Sequence, residues 1–178
     1  MRLVLATLFL PLQLLGQQPT LPHDPYKAVP SEVVIGLGIG QPFGGIGAQL
    51  AARPADQLDL FAGGGFVMSG MGYNLGLRVR LMPASPACPF LTAMYGYNAV
   101  IHSNVPHYNT IYYGPTFGGG IEFHGRRRPE RFFSLHLLFP LRPQAYDDDI
   151  EAAKRNPLIT EIQETWDVTI ALGWHFGN

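Results

Sequence analysis

Charged and titratable side chains recur inside segments that otherwise consist of glycine, small polar residues and large apolar residues. Arg78 and Arg80 alternate with leucine and valine, and Glu122 is flanked by isoleucine and phenylalanine. Successive side chains of a β-strand point to opposite faces, so this spacing places the charges on one face. Charges enclosed there must pair, because an isolated buried charge is costly to desolvate. The predicted cluster consists of Asp59, Arg78, Arg80, Glu122, His124, His136 and Asp167.

Two roles for this charge cluster remain open from the sequence. Ion pairs of Arg78 and Arg80 with Glu122 and Asp59 would fill and rigidify a narrow interior, which is the usual role of paired buried charges. The same charges at membrane depth would suit a gate or a proton-linked conduit.

A catalytic site is not predicted. Ser134 and His136 lie two positions apart on one face of a predicted strand, and such residues are separated by about 7 Å, too far for direct activation of the serine. The histidines show no metal-ligand spacing, and the sequence contains neither HExxH nor CxxC. The acids Asp147 to Asp149 lack the spacing of a calcium loop. The sequence therefore predicts no enzymatic activity, no metal and no cofactor.

Alternation of large apolar residues with small or polar residues predicts the strands that carry these side chains. It is clearest near the C-terminus, where apolar residues occupy every second position from Trp166 to Phe176. This strand is longer than the usual 5–6 residues or so, and a tryptophan near each end is typical of a strand that crosses a bilayer. The predicted strands are 33–40, 44–53, 58–67, 72–82, 90–101, 111–124, 132–141 and 166–176.

The residues before the first strand have a different composition. Residues 1–16 begin with Arg2, continue as an apolar run and end at Gly16, which is the layout of a secretory signal peptide. Residues 17–32 are rich in proline, which predicts an extended linker. The predicted organisation is a signal peptide at 1–16, a Pro-rich linker at 17–32 and a β-barrel at 33–178.

Composition excludes some classes of protein. Charged residues make up 14% of the chain, against roughly 25% in a typical soluble domain. The net charge of −1 argues against a nucleic-acid binder, which would be strongly basic. The single cysteine, Cys88, cannot form an intrachain disulfide, so the fold must be stable without one.

The predicted fold is an all-β, closed, antiparallel, up-and-down transmembrane β-barrel of about eight strands, with large apolar residues facing lipid. Only a closed barrel satisfies every backbone group of strands in lipid. The alternative is a secreted, lipocalin-like barrel that binds a small molecule and turns the same residues inward, but eight strands leave too narrow an interior for so many aromatic rings. The predicted lipid-interface aromatics are Tyr73, Tyr97, Tyr113, Phe139, Trp166 and Trp174.

The signal peptide, the strand number, the alternation of short turns with long loops and the aromatic last strand resemble the small outer-membrane β-barrel proteins of Gram-negative bacteria, such as the OmpA transmembrane domain and OmpX. The repeated Gly-Tyr-Asn at 72–74 and 96–98, and the ending Gly-Trp-His-Phe at 173–176, resemble barrels of Bacteroidetes-type bacteria. Members of the family usually end on an aromatic residue, whereas here Gly177 and Asn178 follow Phe176.

The resemblance implies a monomer in the outer membrane, with a structural or surface-interaction role in the cell envelope and no open pore. Its implied partners are outer-membrane lipid, lipopolysaccharide and the barrel-assembly machinery. The turns at 54–57, 83–86 and 125–130 would face the periplasm, and the loops at 102–109 and 142–163 would face outward. A further alternative is an enzyme, since some barrels of this kind modify lipid acyl chains with Ser, His and an acid.

Overall fold

A computed structural model describes residues 33–67, 69–103, 109–156, 159, 162–163 and 165–177. The predicted signal peptide and linker lie outside these residues. Eight antiparallel strands follow one another around a barrel, which the pairing of the strands Gly70–Arg80 and Ala87–Ser103 closes. The prediction of an all-β, closed, up-and-down barrel is therefore confirmed. The barrel strands are β1 (Val33–Gly40), β2 (Gly45–Ala55), β3 (Leu58–Val67), β4 (Gly70–Arg80), β5 (Ala87–Ser103), β6 (Thr110–His124), β7 (Arg131–Pro140) and β9 (Thr169–Gly177).

The two ends of the barrel differ. At one end, called the turn end, residues 56–57, 81–86 and 125–130 connect neighbouring strands, and β1 begins where β9 finishes. The opposite end, called the loop end, carries the other connections. One of them contains the helix α1 (Gln144–Arg155) and the two-residue strand β8 (Ile162–Gln163), which pairs with the edge of β5. Among the described residues, no helix is both long enough and apolar enough to cross a membrane.

Several predicted strand boundaries differ from the structure, for example 90–101, which is Ala87–Ser103. The acids Asp147 to Asp149, which lack the spacing of a calcium loop, lie in α1, which begins at Gln144. The closing strand was expected from Trp166 but begins at Thr169, which pairs with Leu138. Trp166 and Val168 continue the alternation of apolar residues, yet they lie outside the ladder because alternation does not report where the partner strand stops.

The two faces of the barrel have opposite character. Leu77, Leu172 and Trp174 are 41%, 44% and 50% exposed on the outer face, whereas the Arg78 and Glu122 side chains are buried in the interior. As predicted, these large apolar residues face outward while Arg78 and Glu122 face inward. The interior, called the lumen below, is therefore polar.

The connection between β1 and β2 folds into the lumen. Its 3₁₀ turn, Gln41–Phe43, is buried at all three residues and is called the plug below. The turn is closed by Gly44, which adopts φ +67° and donates its backbone N–H to the Gln41 carbonyl at 2.9 Å. The predicted strands 33–40 and 44–53 leave only 41–43 between them, and three residues between two strands carry no signal of the direction in which they fold.

Glycines on the inner face of the barrel make room for the plug. A Cβ atom at Gly63 would overlap the carbonyl oxygen of Pro42, and a Cβ atom at Gly38 would overlap the ring of Phe43. The glycine-rich strands thus allow backbone to approach backbone inside a barrel of only eight strands, whose interior is otherwise just wide enough for side chains.

Beyond the plug, β5 and β6 extend past their neighbours and α1 covers their inner face. Tyr146 and Ile150 of α1 pack against Ala99, Ile101 and Tyr112. The Tyr112 hydroxyl also donates a hydrogen bond to Asp149 at 2.5 Å. The helix is therefore an integral part of the loop end, fixed by both apolar packing and a charge-assisted hydrogen bond.

The contact between the inner-face glycines and the plug, called the glycine cradle, predicts different outcomes for two adjacent substitutions. Gly63→Ala places a methyl group against Pro42 and should lower the free energy of unfolding by about 1–3 kcal/mol through overpacking. Gly64→Ala is the matched control, because its Cβ atom would meet nothing nearer than the Gly72 carbonyl oxygen at 3.9 Å. Denaturant titration of the purified proteins measures both, and equal stabilities of the two variants would contradict the cradle.

Candidate functional site: the barrel lumen

Buried ion pairs cross the half of the lumen nearest the turn end. Glu122 on β6 accepts hydrogen bonds from Arg78 Nη1 at 2.8 Å and from Arg80 Nε at 3.0 Å, both on β4. Arg78 Nη1 also lies 3.6 Å from Asp59 Oδ2 on β3, and Arg53 Nε donates to Asp59 Oδ1 at 2.7 Å. Three guanidinium groups and two carboxylates therefore form one network, whose side chains are no more than 4% exposed.

Aromatic rings and a histidine complete this network. The guanidinium carbon of Arg78 lies 4.9 Å from the ring centroid of Phe90, a cation–π distance. His124 Nε2 lies 3.2 Å from Glu122 Oε2, and its Nδ1 lies 2.8 Å from the Pro129 carbonyl oxygen in a turn-end connection. The network therefore links opposite strands of the barrel to one of its closing turns.

Arg53 belongs to the network but was not among the predicted residues. It lies on β2, whose alternation is weak because small residues occupy both faces. The sequence did hold one signal, because Gln49, Ala51 and Arg53 are spaced two residues apart and so share a face of the strand. In the structure all three are buried. A single charge at that spacing marks the inner face, as the arginines do on β4.

A second cluster in the lumen joins Ser134 to two histidines. Ser134 Oγ lies 2.8 Å from His175 Nε2 and 3.0 Å from His136 Nε2. The expectation that Ser134 and His136 are too far apart for a hydrogen bond is wrong, because the backbone spacing of about 7 Å is bridged by the length of the imidazole side chain. The three side chains are at most 1% exposed.

This Ser–His cluster differs from a hydrolytic triad in the partners of its histidines. The Nδ1 atoms of His136 and His175 have no hydrogen-bond partner in the described part of the chain, so no carboxylate orients either ring as in a catalytic triad. The rings instead pack against phenylalanines: His175 is stacked on Phe132 with 4.5 Å between centroids, and His136 lies edge-on to Phe90 at 4.8 Å. The cluster is a packed layer of the lumen.

The plug is tied to the wall by side-chain amides. Asn74 Nδ2 donates to the Gln41 carbonyl at 2.5 Å, and Gln41 Nε2 donates to the Asn98 carbonyl at 2.8 Å. Gln49 Nε2 donates to the Pro42 carbonyl at 3.3 Å while its Oε1 accepts from Arg78 at 3.2 Å. A continuous chain of hydrogen bonds therefore connects the plug to the ion-pair network.

The repeated Gly-Tyr-Asn supplies both wall asparagines, but its two tyrosines differ. Tyr73 lies on the outer face, 4.9 Å from Tyr113 between ring centroids. Tyr97 was predicted to be a lipid-interface aromatic and is instead turned toward the lumen, where its ring would contact a Cβ atom at Gly72. Gly96, with φ +154°, and the irregular register after Tyr97 reorient this side chain.

Asp167 does not join the charge cluster. Its side chain is 94% exposed and pairs with Arg142 at 2.9 Å, because the chain has left the sheet before Thr169. Trp166 is exposed in the same connection, outside the strands. Phe139 and Trp174 lie on the outer face of their strands, about half exposed.

Neither a protein-family model nor a curated protein matches this chain at a significant level.

Loss of the central carboxylate should be far more damaging than loss of a surface carboxylate. Glu122→Gln leaves Arg78 and Arg80 buried without their shared counter-ion, and the free energy of unfolding should fall by about 3–5 kcal/mol. The control is Glu151→Gln, which removes the exposed pair of Glu151 with Arg155 on α1 and should change stability by less than about 1 kcal/mol. Denaturant titration compares the variants, and a Glu122→Gln protein as stable as the control would refute the network's role.

Proposed function

We propose that this protein is a transmembrane β-barrel of the bacterial outer membrane, with a structural or surface-interaction role in the cell envelope and without an open pore. The observation that carries the proposal is the apolar character of the outer face of the barrel, called the outer wall below. Large apolar side chains such as Ile35, Leu75 and Ile170 are 53%, 59% and 64% exposed, and they recur on every barrel strand. Soluble monomers rarely expose contiguous apolar patches larger than a few hundred Å², so lipid is the solvent that suits this wall.

The backbone and the aromatic residues support the same proposal. A closed barrel leaves no strand edge without partners, as a hydrocarbon environment requires. Aromatic side chains lie on the outer face toward both ends: Tyr73 and Tyr113 toward the loop end, and Phe123, Trp174 and Phe176 toward the turn end. Such rings suit the two interfaces between lipid and water.

The contents of the lumen argue against a channel. The ion-pair network and the Ser134 cluster lie side by side, since Ser134 pairs with Glu122 in the sheet, and the plug ring Phe43 packs against His136 and His175. The side chains of all three are buried. Because the charges pair with one another rather than line a water-filled path, a structural role suits them better than conduction.

The two alternative functions fit the geometry less well. A secreted, lipocalin-like binder needs an apolar interior, whereas the apolar side chains here point outward and the lumen is polar. A lipid-modifying enzyme needs a serine that its substrate can reach from the bilayer, whereas Ser134 is buried between two histidines inside the barrel.

The loop end is the surface we propose for interactions. In the orientation that the resemblance implies, this end faces outward and the turn end faces the periplasm. Its helix α1 exposes acidic side chains at Asp147, Asp148 and Glu151 and basic ones at Lys154 and Arg155. We propose lipopolysaccharide as the neighbour of the wall and the barrel-assembly machinery as the partner during insertion.

An arginine on the wall distinguishes lipid from water as the surrounding solvent. Leu75→Arg, in the middle of β4, should cost about 2–4 kcal/mol in a bilayer, whereas an already exposed position in water would tolerate it. Met82→Arg is the control, because Met82 is equally exposed but lies in a turn-end connection. Folding equilibria in phospholipid vesicles, followed by heat-modifiable gel migration, measure both variants. Equal stability of Leu75→Arg and wild type would contradict the proposal.

The absence of a pore is testable in planar bilayers. The folded wild-type protein should give no stable single-channel steps, because the plug and the ion-pair network occupy the lumen. Protein-free bilayers and heat-denatured protein serve as controls. Reproducible steps of uniform size from the folded protein alone would show that the lumen conducts.

A further inference from the structure

A cavity of about 620 Å³ lies at the loop end, above the plug. Its volume falls within the range of about 300–1,000 Å³ that is usual for small-molecule sites. The lining is mainly apolar: Val67 at the end of β3, Val100 on β5, and Trp166 with Val168 in the connection before β9. None of these side chains belongs to the ion-pair network or to the plug.

The cavity reaches both faces of the barrel wall. Thr169 and Ile170 both line it, although they are consecutive residues of β9 and therefore point to opposite faces. Thr169 continues the inner face, whereas Ile170 and its pairing partner Leu137 belong to the exposed apolar outer face. Because β9 begins at Thr169, the sheet stops here and leaves an apolar passage between the wall and the lumen.

Two of the residues that line the cavity, Thr169 and His102, hold a polar atom without a partner in the part of the chain that the structure describes. Thr169 Oγ1 and His102 Nδ1 are both buried and have no hydrogen-bond partner among the described residues. Buried polar groups are normally paired. An amphipathic molecule whose polar head reaches Thr169 and His102 would supply the missing hydrogen-bond partners, and its apolar part would lie against the apolar lining.

The wall of the cavity is held in place by its own hydrogen bonds. Thr165 Oγ1 donates to the Val100 carbonyl at 3.0 Å and accepts the Val100 N–H at 3.1 Å. The Thr165 N–H also donates to the Tyr146 hydroxyl at 3.1 Å, and its carbonyl accepts from Arg142 at 2.6 Å. The connection before β9 is thus anchored to β5, to α1 and to the end of β7, so the cavity is preformed.

We infer that this cavity binds a single fatty-acyl chain, which enters from the lipid side past Ile170 and places its carboxyl head beside Thr169 and His102. An apolar passage open toward the outer wall suits a hydrocarbon chain, and the two unpaired polar atoms suit one small polar head. The inference rests on the proposed function in one respect, namely that the outer wall faces lipid.

Quenching of tryptophan fluorescence by a dibrominated stearate tests the inference. A Trp174→Phe protein in phospholipid nanodiscs retains Trp166 at the cavity as its tryptophan. Titration should give saturable quenching. Val67→Phe and, separately, Thr169→Phe fill the cavity and should weaken the apparent affinity at least tenfold. Phe66→Leu is the control, because Phe66 is the exposed neighbour of Val67 and should leave the affinity unchanged.

The outcomes separate the inference from the proposed function. Quenching that rises linearly with the brominated lipid, or saturable quenching that neither filled variant weakens, would overturn the acyl-chain site while the barrel remains in its nanodisc. Failure of the wild-type protein to enter the nanodisc would overturn the proposed function and this inference with it.

Discussion

The pairing of Arg78 and Arg80 with Glu122 constrains the rest of this structure. Two guanidinium groups on β4 share one carboxylate on β6. The strand between them, β5, carries no acidic residue. Charges this deeply buried are tolerated only where their partners are fixed at hydrogen-bonding distance. The register of β4, β5 and β6 is therefore set by the network, since a slip by one residue would turn every charge onto the apolar outer wall. The large apolar side chains follow from the same register, because they alternate with the charges.

Glycine is the second determinant. Glycines on the inner face leave room for the plug. The plug occupies space that longer side chains of the barrel strands would otherwise fill. The plug brings its own carbonyl groups into the lumen, and Asn74 and Gln49 satisfy them. Because Gln49 also binds Arg78, the apolar ring of Phe43, the amides and the ion pairs form one connected interior. The lumen is thereby filled with packed and hydrogen-bonded groups.

The sequence predicted most of this architecture, for identifiable reasons. Alternation located the eight barrel strands and the faces of their side chains, because a period of two is a direct consequence of strand geometry. It failed where position depends on partners distant in sequence. Asp167 and Trp166 continue the alternation but lie beyond the last pairing residue, Thr169. The reorientation of Tyr97 depends on a local irregularity in β5. The plug and the bond between Ser134 and His136 depend on three-dimensional packing that no spacing rule contains.

The central claim is that hydrocarbon surrounds the apolar wall, and spin-label accessibility along β4 tests it most directly. Nitroxides are attached singly to cysteines substituted from Tyr73 to Val79, in a Cys88→Ser protein reconstituted into vesicles. The account predicts that labels at Leu75, Leu77 and Val79 collide readily with dissolved oxygen and scarcely with a water-soluble nickel complex. Labels at Asn74, Gly76 and Arg78 should collide rarely with both reagents. Ready collisions of the outward-facing labels with the nickel complex would show that water covers the wall, and would contradict the account.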